Sequence, residues 1–121
     1  MLFFKQIIGR TGEQEAARFL RKKGLKIIQM NYKNQIGEID IIAKERGMYV
    51  FAEVKTRTST DFGFPAQAVD YKKQKKIINV AKTYLKNAYN ESMRFDVIEV
   101  YMDKVSRKVT AINHIENAFG E

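Results

Sequence analysis

A chain of 121 residues, 45% apolar and 30% charged with a single proline, has the composition of a globular protein rather than a disordered one. Its length predicts a single domain over residues 1–121, large enough to bury roughly two thirds of the unfolded chain's surface without a covalent staple. The sequence contains no cysteine, which excludes disulfides, thiolate catalysis and thiolate metal sites and fits a reducing compartment. The net charge of +8 raises the question of a polyanionic partner, since Lys and Arg fields steer association with nucleic acid. A basic protein can also lack any such role, and charge alone does not separate the two.

The N-terminal run Met1 to Ile8 is apolar but too short to span a bilayer. It lacks the basic start, long apolar core and cleavage site of a signal peptide. The expectation is a segment packed on the domain or on a partner, in a cytoplasmic protein with no membrane partner. Thr11-Gly12-Glu13-Gln14 reads as a capping box opening a helix that runs to Lys23 and stops at Gly24. Ala16, Ala17 and Leu20 mark its buried stripe, and Glu13 falls on the same face.

Leu25 to Tyr32 is a predicted first strand, Gly37 to Ala43 a second and Met48 to Thr56 a third. Arg57 to Pro65 reads as a loop. Ala66 to Asn87 has helical period, with Ile77, Ile78, Ala81, Tyr84 and Leu85 on one face. Phe95 to Met102 is a fourth strand and Lys108 to Ile115 a fifth, turning near Ser106. This order, α-β-β-β-α-β with a further strand, predicts an α/β fold: a central mixed four- to five-stranded sheet flanked by helices.

Three ionisable groups, Asp40, Glu53 and Lys55, interrupt otherwise apolar strands, and a charge in a strand core is costly unless paired or metal-bound. If Arg46-Gly47 is the loop of a two-residue hairpin, Glu45 faces Met48. The same register puts Asp40 opposite Glu53 and Glu38 opposite Lys55, all projecting to one side. Two opposed carboxylates repel and invite a divalent cation. Mg²⁺ takes one or two carboxylates together with waters and phosphate oxygens. Glu13, from a helix expected to pack on this sheet, adds a third acid. Lys55 is suited to stabilise charge developing at phosphorus, or to orient and deprotonate an attacking water. The bland alternative is that each acid pairs with a nearby Lys or Arg, and that Lys55 neutralises Glu38.

Gly37-Glu38-Ile39-Asp40 followed by Glu53-Val54-Lys55 resembles the PD-(D/E)xK nuclease motif, with Ile39 standing where the motif has proline. Thr11 to Leu20 resembles the helix that carries an extra Glu in Holliday junction resolvases. Almost the whole chain resembles the YraN-like family of small uncharacterised bacterial proteins. The matching stretches are Gly12-Glu13, Gly37 to Asp40, Phe51 to Arg57, Arg94 to Val97 and Asn117 to Phe119. The resemblance implies a restriction-endonuclease-like core. By wider analogy it implies a nuclease using Mg²⁺ or Mn²⁺ on DNA, branched or structured DNA included, and a homodimer. Asp40, Glu53 and Glu13 match the metal-binding acids and Lys55 the catalytic lysine. Two rival readings stay open: a nucleic-acid-binding module that keeps the scaffold without cleavage, and a basic interaction protein with no nucleic-acid role.

Among the remaining residues, Arg57 shares the face of Lys55 and is a candidate phosphate contact, as is Lys72, which matches a commonly basic family position. Asp70 and Gln74 are expected at hydrogen bonds of the helix end, or backing the site. His114 is expected to be structural. Tyr32, Phe62 and Phe64 are candidate base-stacking groups with core packing as the stronger alternative.

Overall fold

The computed structural model describes residues 2–58, 69–86 and 91–120, with α1 over Leu2–Lys22, β1 over Lys26–Lys33, β2 over Glu38–Glu45 and β3 over Met48–Thr58. α2 follows over Tyr71–Leu85, then β4 over Met93–Met102 and β5 over Val109–Phe119. The sheet is five-stranded in the order β1-β2-β3-β4-β5. All neighbours are antiparallel except β3 and β4, which run parallel and are connected through α2. Among the described residues the architecture is an α/β sheet with one helix on each face, consistent with a restriction-endonuclease-like core.

Each face has its own apolar layer. Ala16, Ala17 and Leu20 of α1 pack with Ile41, Ala43, Val50, Ala52, Ile98 and Val100. On the other face Ile77, Ile78, Val80 and Ala81 of α2 pack with Ile42, Phe51, Phe95 and Val97. Alternate residues of β3 therefore belong to opposite layers, as the period of two requires. Glu53 and Lys55, in phase with Phe51, point to the α2 side.

The first helix begins earlier than the capping box predicted. Thr11 is not a cap: its Oγ1 donates back to the Ile7 carbonyl at 2.9 Å, inside a helix that already started at Leu2. Gly12 is buried where α1 crosses β3, and a Cβ there would run into the Thr56 side chain. The Thr-Gly pair thus marks a close crossing rather than a helix start. At the other end Gly24, with φ +98°, terminates the helix as expected.

The second helix is shorter within the described residues than the predicted Ala66 to Asn87. Asp70 is its N-cap and accepts the Lys73 N–H at 2.8 Å, so the helix proper starts at Tyr71. Gln74 Nε2 donates to the Val69 carbonyl at 3.0 Å, which leaves both residues at the helix end. Residues 66–68 and 87, with Phe62 and Phe64, lie outside the described residues. Tyr32 packs edge-on against Tyr84, the core-packing alternative, with ring centroids 4.9 Å apart. The fifth strand runs four residues further than predicted, to Phe119, whose ring stacks on Phe95.

β4 carries two buried carboxylates, Asp96 and Glu99. Asp96 is held by Arg94 Nε at 3.0 Å, by the Asn117 N–H at 2.9 Å and by His114 Nε2 at 2.8 Å. His114 Nδ1 in turn meets Lys23 Nζ at 2.8 Å. Burial works against the charge on Asp96, but these donors prevail and hold its pKa below the usual carboxylate value. His114 thus ties α1, β4 and β5 together, a structural role.

Candidate functional site

The β2–β3 hairpin has the register its two-residue loop predicts. Arg46 and Gly47 both adopt positive φ, 50° and 82°, and the ladder runs from Glu45↔Met48 to Ile41↔Ala52. One step further the next positions in line are Asp40 and Glu53. There the backbone N–H of Val54 is taken by a side chain, donating to Asp40 Oδ2 at 2.8 Å. Glu53 is buried. Burial, together with the adjacent Glu53 charge, pushes the Asp40 carboxyl up to about 8, although the Val54 N–H works in the opposite direction. The acids that the hairpin register predicted as neighbours are neighbours, and they share the strain of a carboxylate pair.

Glu53 has a partner that the sequence reading did not name. Lys73, in the first turn of α2, places Nζ 2.9 Å from Glu53 Oε1. Burial lowers the Lys73 pKa, but the hydrogen bond and charge of Glu53 more than offset it, and the net shift is upward. Lys55 lies beside both groups; burial first, then the Lys73 charge, lowers its pKa. Two ammonium groups therefore flank two carboxylates. The opposition of Glu38 to Lys55 does not enter this arrangement, because the β2–β3 ladder ends at Ile41 and Glu38 faces Lys33 of β1 instead.

Glu13 approaches from the α1 layer. Its pKa is raised, first by burial and then by the charges of Glu38 and Glu53, while a hydrogen bond with the Asn31 side chain opposes the shift. Asn31 reaches it from a left-handed backbone position, φ 54°, where β1 departs from regular pleating. Glu13 and Lys55 also line one cavity of about 580 Å³, with Gly9, Thr56 and Lys104. Acids from β2, β3 and α1 and lysines from β3 and α2 thus come together at one end of the hairpin ladder.

The second-tier candidates divide. Arg57 NH2 lies 3.8 Å from Glu99 Oε2, an oxygen that is fully buried and makes no hydrogen bond. The other Glu99 oxygen accepts from Asn113 Nδ2 at 2.9 Å. Arg57 is therefore steered along β3, two residues past Lys55. Lys72 is exposed on α2, and it is its neighbour Lys73 that reaches the acids.

The donor set fits a hard divalent cation of the Mg²⁺ kind. Asp40 and Glu53 offer two crowded carboxylates as oxygen donors, with the Asp40 pKa raised by burial and by the Glu53 charge, and an ammonium already sits on Glu53. Among the described residues no group of three or more His, Cys, Asp or Glu side chains is placed to hold a metal ion, so the pair Asp40 and Glu53 is the core of any such site.

A profile of the Uncharacterised protein family UPF0102 matches residues 12–100, which covers α1 from Gly12 through most of β4. The chain belongs to this family. A UPF0102 protein of Caldanaerobacter subterraneus subsp. tengcongensis is 48% identical over 117 residues, 95% of this chain and 96% of its own length. One from Clostridioides difficile is 49% identical over 113 residues, covering 92% and 95%. One from Persephonella marina is 37% identical over 118 residues, 96% of each. The family stretch contains Glu13, Asn31, Asp40, Glu53, Lys55 and Lys73, so every group of the cluster lies within it. No described helix of this UPF0102 chain is long and apolar enough to cross a membrane.

Sequence reading missed Lys73, Asn31 and Glu99. Asn31 had one usable signal, an asparagine inside a strand, where the residue is disfavoured unless the backbone turns left-handed. Glu99 was a charge in an apolar run, the same signal that exposed Glu53. Lys73 had none, since it stands among four lysines within five residues.

Proposed function

We propose that this UPF0102 protein is a metal-dependent nuclease that hydrolyses phosphodiester bonds in DNA, branched or structured DNA included, in the cytoplasm. The observation that carries this reading is the Asp40–Glu53 pair at the end of the hairpin ladder, with Lys55 beside it and Asp40 held up to about 8. Asp40 and Glu53, with Glu13 from the facing helix, would hold Mg²⁺ or Mn²⁺. The bound cation supplies charge neutralisation at the phosphate and lowers the pKa of water.

The chain's own residues would do the rest. Asp40 is fixed by the Val54 N–H at one oxygen and by a side-chain hydrogen bond with Glu53. Lys55, its pKa lowered by burial and by the Lys73 charge, is neutral more often than a free lysine and would accept the proton of the attacking water. The water oxygen forms the new bond to phosphorus, the ester P–O bond breaks, and the leaving oxygen takes up a proton from solvent. Arg57 and Lys72 would contact flanking phosphates, consistent with a net charge of +8.

The test is purified protein on labelled duplex, single-stranded and four-way-junction DNA, with Mg²⁺, Mn²⁺ or chelator. Cleavage should require metal and fall at least about a hundredfold in Asp40→Ala and Lys55→Ala. Metal-dependent cleavage that survives either substitution would sink the assignment. A non-catalytic nucleic-acid-binding module is the second reading, favoured by the Lys73 ammonium that already engages Glu53. It predicts DNA binding without cleavage in any metal.

A further inference from the structure

The proposed ligand Glu53 has a positive charge on it before any cation arrives. Lys73 Nζ sits 2.9 Å from Glu53 Oε1, and the two side chains differ sharply in exposure, 44% for the lysine and 7% for the glutamate. The carboxylate is fixed inside the sheet layer, whereas the lysine is a long side chain reaching in from the solvent edge. Its anchor is well defined: the Lys73 backbone N–H is the one captured by the Asp70 cap, so the root of the side chain is held while its tip, nearly half exposed, rests on Glu53. Lys55 stands beside it on β3, close enough for a side-chain hydrogen bond between the two lysines.

We propose that Lys73 is an exchangeable counter-ion: it occupies Glu53 while no metal is bound, is displaced when a divalent cation takes that oxygen, and then contacts the substrate phosphate beside Lys55. The inference rests on the nuclease reading above and assigns a further residue to the same site. No bond is made or broken in the exchange. One ammonium leaves a carboxylate oxygen for water or phosphate, and a hydrated cation gives up a water to that oxygen. The arrangement ties metal entry to the readiness of a phosphate contact, because the lysine is released only by the cation.

The experiment measures two properties of Lys73→Met and Lys73→Arg against the wild-type chain. Binding of Mn²⁺ alone, followed by titration calorimetry without nucleic acid, should tighten by roughly three- to tenfold in Lys73→Met, since the competing charge is gone. Cleavage of duplex or junction DNA at saturating Mn²⁺ should fall by about tenfold or more in the same variant. Lys73→Arg, which keeps the charge, should return both readouts toward wild type. Unchanged Mn²⁺ affinity in a folded Lys73→Met variant overturns the exchange. Tighter Mn²⁺ binding with undiminished cleavage overturns the phosphate contact. If the wild-type chain binds Mn²⁺ and cleaves while the variants match it, only the role of Lys73 falls. If the wild type neither binds Mn²⁺ nor cleaves, the nuclease reading falls with it.

Discussion

At Asp40 two demands oppose one another. Its side chain replaces a backbone acceptor for the Val54 N–H, which favours the charged form, yet burial and Glu53 press it toward the neutral one. The second pair of effects wins, and the carboxyl titrates at about 8 instead of the ordinary 3.8. The folded state therefore binds a proton that the unfolded state has already lost, throughout the window between those two values. Stability contributed by the neutral carboxyl is complete below about 4, declines as pH rises, and is lost above about 8. Asp40→Asn keeps an oxygen for Val54 but has no proton to lose. In chelator, urea unfolding of wild type should weaken from pH 5 to pH 8, while the Asn variant loses less. At pH 8 the variant should be the more stable by roughly 2 kcal/mol. Equal pH slopes in the two proteins would move the titration to another group.

The crossing of α1 over β3 sets where Glu13 can reach, and Gly12 sets the crossing. Alanine in a helix interior is ordinarily better than glycine by about 1 kcal/mol. At Gly9, where a Cβ meets nothing within 4 Å, Gly9→Ala should show that gain in thermal or urea unfolding. At Gly12 the added carbon collides with Thr56, so Gly12→Ala should instead destabilise by roughly 1–3 kcal/mol. Same-signed effects at the two glycines would remove the close crossing from the account. These elements also show what a sequence reveals and what it hides. The hairpin register was legible because a two-residue Arg-Gly loop admits few geometries and apolar runs of matching length flank it on both sides. The apolar stripe of α2 was legible for the same reason, through its period. The start of α1 was not, because Thr-Gly followed by Glu-Gln carries the local chemistry of a cap while tertiary packing uses it as a crossing point. Lys73 was hidden for a different reason: which of several adjacent lysines reaches an acid depends on where the helix starts, to the residue, and on a flexible side chain. Asn31 depended on a break in strand pleating that no periodic pattern encodes.

For the molecule as a whole, the charge of +8 and the sheet's one-ended cluster give binding a measurable signature. If Arg57, Lys72 and Lys73 each neutralise one phosphate, log affinity for duplex DNA should fall with log salt at a slope of roughly −3. Lys72→Ala should reduce that slope by about 1 with little change in metal dependence, since Lys72 is exposed and apart from the acids. Absence of binding at low salt would favour a basic interaction protein with no nucleic-acid role. The hairpin itself has a consequence for how the chain assembles. Asp40 and Val54 are only 14 residues apart, and hairpins of this kind close within roughly 1–10 μs, ahead of contacts between distant elements. Glu13 precedes the hairpin by a whole strand, and Lys73 must wait for α2 to cross to the parallel partner β4. The acid pair is thus brought together before its lysine from α2 is in place. Until the helices pack on the sheet the two acids stand in water, so the burial that raises the Asp40 pKa is imposed only in the later steps of assembly.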